Sequence, residues 1–231
     1  MPNEGVIMPV LTIASRKGGT GKSTTSVAIA CLLDAEGVDV GLLDTDPNQG
    51  AYRWATQKYG GATLRAYAES DTEKLADLLP TLAARHTVLI VDTAGFGNQA
   101  ATVAMAGADG VLVPVTPGEG DVVEAGRTVG FVEGLAKMAR RPIPVRVLPN
   151  RLRRNTTLTK HVLAEMDANG LPRLKASLSE AVSYGEMSFS DALPRNGTAA
   201  DEVEALVAEL RELRWLPEKD VNQSLRKEVK S

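Results

Sequence analysis

Three short segments hold the residue types that could handle a polyphosphate. The first is Ser15-Arg16-Lys17-Gly18-Gly19-Thr20-Gly21-Lys22-Ser23-Thr24. Its glycines let backbone N–H groups curl around phosphate oxygens, where a Cβ would obstruct the approach. Lys22 can reach β- and γ-phosphates, the Ser23 hydroxyl can ligate Mg2+, and Thr24 is placed to hold an α-phosphate. The second segment ends the aliphatic run Gly41–Leu43 on Asp44 and Asp46. The third ends Leu89–Val91 on Asp92, with Gly95 and Gly97 just beyond.

These groups work together only if the fold brings them to one place. Aliphatic runs at 10–14, 38–43, 87–91, 110–115 and 145–148 have almost no charge, as buried parallel strands should, and 63–67 is a weaker candidate. Helical stretches alternate with them at 22–35, 48–58, 72–84, 98–107, 121–139, 156–169 and 199–214. The alternation predicts an α/β fold, a doubly wound and mostly parallel sheet with helices on both faces. Ligands of such sheets sit at the carboxyl ends of the strands, so Asp44, Asp46 and Asp92 converge on the loop by topology. The helix opening at Lys22 adds the partial positive charge of its N-terminus.

Composition removes other classes. Hydrophobic residues make up 43% of the 231, enough for a sizeable core and too many for a disordered chain. Cys31 is the sole cysteine, which excludes an internal disulfide and a cysteine zinc cluster. His86 and His161 show no ligand spacing. The first fourteen residues hold Glu4 and no Lys or Arg, so no signal-peptide pattern is present and a cytoplasmic location is expected. Cys31, Tyr52 and Trp54 read as packing residues; Trp215 is a candidate docking anchor.

The first segment departs from the standard phosphate loop, which would have glycine where Arg16 stands. With Lys17-Gly18-Gly19 ahead of Lys22-Ser23, it resembles the deviant Walker A loop, K-G-G-x-x-K-[ST], of the ParA/MinD family of P-loop ATPases. The resemblance covers residues 10 to about 214 and implies one ATPase domain over 1–216 followed by a polar tail, 217–231. It implies ATP and Mg2+ as cofactors and a homodimer in the ATP state, in which Lys17 reaches the partner's phosphates. Gly18, Gly19, Thr20, Gly21, Lys22, Ser23 and Thr24 would cradle the nucleotide. Asp92 resembles the Walker B aspartate and would hold the metal through water. Asp46, in Asp-x-Asp-Pro, would orient the attacking water or the metal's water shell, supported by Asp44. Catalysis would rest on Lys17, Lys22, Ser23, Asp46 and Asp92.

Asp92-Thr93-Ala94-Gly95 looks more like the signal-recognition GTPases of the wider superfamily, yet 148–152 lacks the lysine and aspartate of a guanine motif. Adenine is therefore favoured, with Asn150 as its implied contact and Arg151 as a nucleotide or dimer contact. Pro114, Pro117 and Asp121 fill the places of the family's P-x-x-P-x-x-x-D segment, and Gly185 and the helix 197–210 match later stretches.

The family's ATP dimers bind bulk DNA without sequence preference and answer to a centromere-binding or cargo adaptor, which would give nucleoid association in the ATP state. Residues 137–160 contain eight Lys or Arg and no acid, the local excess such binding needs. Arg140, Arg141, Arg153, Arg154 and Lys160 are the candidate contacts. Val221, Leu225 and Val229 share a helical face in the tail, but with acids beside them they bury too little to anchor to a membrane. Two rivals share the loop: a metabolic ligase of the dethiobiotin or cobyrinate type, and an accessory DNA-transfer ATPase.

Overall fold

Strands buried on both faces need helices above and below them, and the chain supplies both in turn. A computed structural model describes residues 10–61, 63–95, 97–187 and 197–219. The strands are β1 (Val10–Ile13), β2 (Val40–Asp44), β3 (Arg65–Ala68), β4 (Val88–Asp92), β5 (Gly110–Val115) and β6 (Val145–Pro149). The helices are α1 (Lys22–Ala35), α2 (Gly50–Gln57), α3 (Thr72–Ala83), α4 (Gln99–Ala106), α5 (Glu119–Ala139), α6 (Thr157–Ala168), α7 (Val182–Glu186) and α8 (Thr198–Glu212). One sheet runs in the order β3-β2-β4-β1-β5-β6, with every pairing parallel. Each predicted strand and helix is present, with ends shifted by at most two residues.

The period-2 alternation of the strands divides the core. Leu11, Ile13, Val88, Ile90, Leu112 and Leu148 point to a cluster with α1, α2 and α8. Leu43, Leu89 and Val91 point the other way, toward α3 and α4. Val111, Val113, Val145 and Val147 do the same toward α5 and α6. β3 is the edge strand and only half buried, which explains its weak aliphatic signal.

Three features differ from the sequence reading or extend it. Trp215 is buried in the α1–α8 layer, where a Cβ on Gly110 would come within 2.8 Å of its ring, so it anchors the fold internally rather than docking a partner. The stretch around Gly185 forms the one-turn helix α7, and 188–196 lie outside the described residues. Beyond β6, Arg173 bridges to Val147 and Ser179 to Leu152, so 172–180 runs alongside the sheet as an irregular border. Val221, Leu225 and Val229 also lie outside the described residues. Among those described, no helix is long and apolar enough to cross a membrane.

Candidate nucleotide-binding site

The strand register assembles the site. Asp44 of β2 and Ile13 of β1 both pair with Asp92 of β4, so two carboxylates and the start of the loop meet at one sheet edge. The chain leaves β1 toward β2 and leaves β4 toward β5, on opposite sides, which opens a crevice where the direction of winding reverses.

Gly19 (φ +75°) and Gly21 (φ +89°) take left-handed backbone. Gly21 caps α1, where a Cβ would lie 2.3 Å from the Asn150 amide nitrogen. Around Gly18 and Gly19 a Cβ would meet nothing within 4 Å, so the loop mouth has room for an anion. Lys22 is buried at the N-terminus of α1, and burial lowers its pKa while Asp92 and Asp46 oppose that shift. The field there suits a polyphosphate: a helix N-terminus, a partly desolvated lysine and an open glycine cradle.

Asp92 is buried, and burial pushes its carboxyl up to about 7. The negative charge of Asp44 adds to this, and the neighbouring Ser23 and Ser26 hydroxyls and the charge of Lys22 oppose it. Ser26 Oγ donates to its Oδ1 at 3.1 Å, while Oδ2 is buried without a partner. An orphaned carboxylate oxygen beside the Ser23 hydroxyl fits an oxygen-liganded Mg2+ and its water. No cluster of three or more His, Cys, Asp or Glu converges as a metal cage among the described residues, so much of the coordination would come from phosphate and water.

Asp44 braces the next turn, its two oxygens accepting from the Asp46 N–H (2.9 Å) and the Tyr52 N–H (3.0 Å). Asp46 in turn accepts from the Asn48 N–H and side-chain amide, at 2.8 and 3.0 Å. Asp44 thus acts on this turn through a pair of backbone hydrogen bonds.

Lys17 is half exposed, and its ammonium pairs with the Asp121 carboxylate in the first turn of α5, which also accepts from the Thr116 hydroxyl. One residue earlier, Arg16 pairs with Glu124 on the same helix at 3.1 Å. Sequence reading singled out Lys17 and Asp121 separately; that they meet within one protomer was not read from it.

On the β6 side, the Asn150 amide donates to the Thr20 carbonyl at 2.6 Å, and its oxygen accepts from the Arg151 N–H at 2.8 Å. This side chain braces the phosphate loop. Next to it a cleft of about 450 Å³ is lined by Gly21, Thr24, Arg151, Ser179 and Tyr184 among others. Its position beyond the loop suits the base and sugar of a nucleotide. Two larger clefts, about 650 and 750 Å³, open at the other end of the sheet beside Val10, Leu11 and Asp109, away from the phosphate loop.

The basic run divides in space. β6 separates Arg140 and Arg141 from Arg151, Arg153, Arg154 and Lys160, by about 16 Å at 3.3 Å per residue. Arg141 is engaged at the end of α4, donating to the carbonyls of Ala106 (2.5 Å) and Ala108 (2.9 Å). Arg153 pairs with Glu180, and Arg154 with Glu202. Arg140, Arg151 and Lys160 have no ion pair among the described residues.

A family model described as the CobQ/CobB/MinD/ParA nucleotide binding domain, CbiA, matches residues 11–193. The chain belongs to this family of P-loop ATPases. Protein ParA of Rhizobium radiobacter is 34% identical over 110 residues, which are 48% of this chain and 50% of that protein, so the match spans about half of each. Protein virC1 of the same organism is 26% identical over 189 residues, 78% of this chain and 80% of that one. Among solved structures, an ATP complex of Cyanothece McdA superposes with a TM-score of 0.74 at 18% identity, covering 91% of this chain and 98% of that one. At that identity the likeness speaks for the fold alone.

Proposed function

We propose that the protein is an ATP- and Mg2+-dependent switch that dimerises around two triphosphates and hydrolyses them slowly until a partner protein stimulates turnover. The observation behind this reading is Lys17. Lys22 already serves the cradle of its own loop, whereas Lys17 is half exposed and held by a carboxylate on the neighbouring helix. Its ammonium can exchange Asp121 for the phosphates of a second protomer. A cation supplied in trans neutralises charge on the transferring phosphoryl group and ties hydrolysis to dimerisation. Ser23 would ligate Mg2+, with Asp92 and Asp46 acting through water; when bound, the metal neutralises the β- and γ-phosphate charge. Asp46 would orient the attacking water.

In this reading the ATP dimer binds DNA without sequence preference and releases it after hydrolysis, moving a plasmid, chromosome region or other cargo recognised by an adaptor. Arg151 and Lys160, beside the nucleotide face, are the cations best disposed to meet phosphates, and such binding weakens steeply with salt. Sedimentation with a non-hydrolysable ATP analogue and Mg2+ tests the core of the proposal. Wild type should become dimeric, and Lys17→Ala should stay monomeric while still binding nucleotide. A wild-type chain that remains monomeric, or a Lys17→Ala chain that dimerises equally well, refutes it. A ligase of the cobyrinate type needs neither the second copy nor Lys17.

A further inference from the structure

The wall of the base-side cleft is built from a segment that cannot hold its own shape. Among the described residues the backbone of 178–180 joins the β6 side only through Leu152 and Pro149: Leu178 N–H donates to Pro149, Leu152 N–H to Leu178, and Glu180 N–H to Leu152, each at 3.0 Å. The backbone donors on its other side face α8. There Glu202, only 7% exposed, accepts from the Ser179 N–H (2.9 Å), the Ser179 hydroxyl (3.0 Å) and the Tyr184 hydroxyl (3.0 Å). Its second oxygen takes the Arg154 guanidinium at 2.8 Å. Two turns along the same helix, Glu209 accepts from the N–H groups of Lys175 (2.9 Å) and Ala176 (2.7 Å), farther from the cleft. A buried carboxylate is tolerated only when its oxygens are filled, and here four donors fill those of Glu202. Burial and the neighbouring Glu202 charge push the Tyr184 hydroxyl pKa up, so it stays a donor.

We propose that Glu202 is a positioning residue for nucleotide recognition: from α8 it fixes Ser179 and Tyr184 as the wall of the base-side cleft, with Arg154 as its counter-charge rather than a contact to DNA. Glu202 does not line the cleft and acts through the residues that do. A glutamine in its place would turn an N–H group toward donors and shift that wall, while leaving the phosphate loop untouched.

The inference rests on the ATP reading, and one experiment separates the two. Binding of Mg–ATP and of Mg–triphosphate, the latter lacking a base, is measured by calorimetry for wild type, Glu202→Gln and Glu209→Gln. Wild type should prefer ATP. Glu202→Gln should lose about tenfold in ATP affinity with triphosphate affinity unchanged. Glu209→Gln, which loosens the same segment away from the cleft, should lose thermal stability and keep the preference. A Glu202→Gln chain that keeps the wild-type preference, or that loses both ligands by the same factor, overturns the positioning role while ATP binding stands. A wild type that binds triphosphate as well as ATP removes the base-side cleft and overturns both readings.

Discussion

Replacing Asp121 with asparagine should make the protein dimerise more readily, and the size of the effect follows from its surroundings. Asparagine keeps the shape and a partner for the Thr116 hydroxyl but discards the charge that holds Lys17 within its own protomer. A hydrogen bond to a charged group contributes about 1.5–3 kcal/mol. The Lys17 side chain is 53% exposed, so solvent screening brings the pair down to about 1 kcal/mol. Two such pairs must open in each dimer, about 2 kcal/mol together, or roughly 30-fold in the dimer dissociation constant. The assay is sedimentation equilibrium across a protein titration with a non-hydrolysable ATP analogue, with ATP affinity and melting temperature measured alongside. A shift below about threefold, at unchanged ATP affinity, would refute the idea that Asp121 competes with a second protomer for Lys17. A weaker dimer would place Asp121 in the interface itself.

Gly21→Ala should lose at least about tenfold in nucleotide affinity and about 2 kcal/mol of stability, since the residue has φ +89° and its Cβ would strike the Asn150 amide. Nucleotide titration and thermal melts check both. Trp215→Ala should cost about 3 kcal/mol, lowering the melting temperature by roughly 6–12 °C, and leave ATP binding at the far end of the sheet intact. The Cys31 thiol is pushed up to about 12, chiefly by burial, with Asp34 adding and a hydrogen bond with Tyr59 opposing. A raised thiol pKa favours the neutral form, so at pH 8 about one molecule in 10,000 carries the thiolate. Iodoacetamide should label the native protein very slowly at pH 8 and rapidly after unfolding in guanidinium; fast native labelling would contradict the burial.

The strands, their order of appearance and the meeting of Asp44 and Asp92 with the phosphate loop were legible because each rests on local pattern and on one topological rule. What escaped was set by contacts between distant residues. Helix α8 contains Glu202, Glu204, Glu209 and Glu212, and nothing in their spacing sets two of them apart as wall-building residues. Only the phase of the helix against residues 172–184 decides that Glu202 and Glu209 turn inward. The basic run divides for the same kind of reason: a strand passes through its middle, and Arg141, Arg153 and Arg154 are taken up by carbonyls or carboxylates. Asn150 reads in the sequence as an adenine contact, whereas its bond to Thr20 depends on Gly21 having no side chain.

The order in which these parts leave the ribosome differs from the order in which a ligand needs them. The phosphate cradle is made well before α8, which holds the carboxylate that fixes the far wall and is the last helix of the described residues. A nascent chain would own a grip for triphosphate tails long before it could tell one nucleoside from another. On this reading, discrimination begins only once α8 has packed against the rest of the fold.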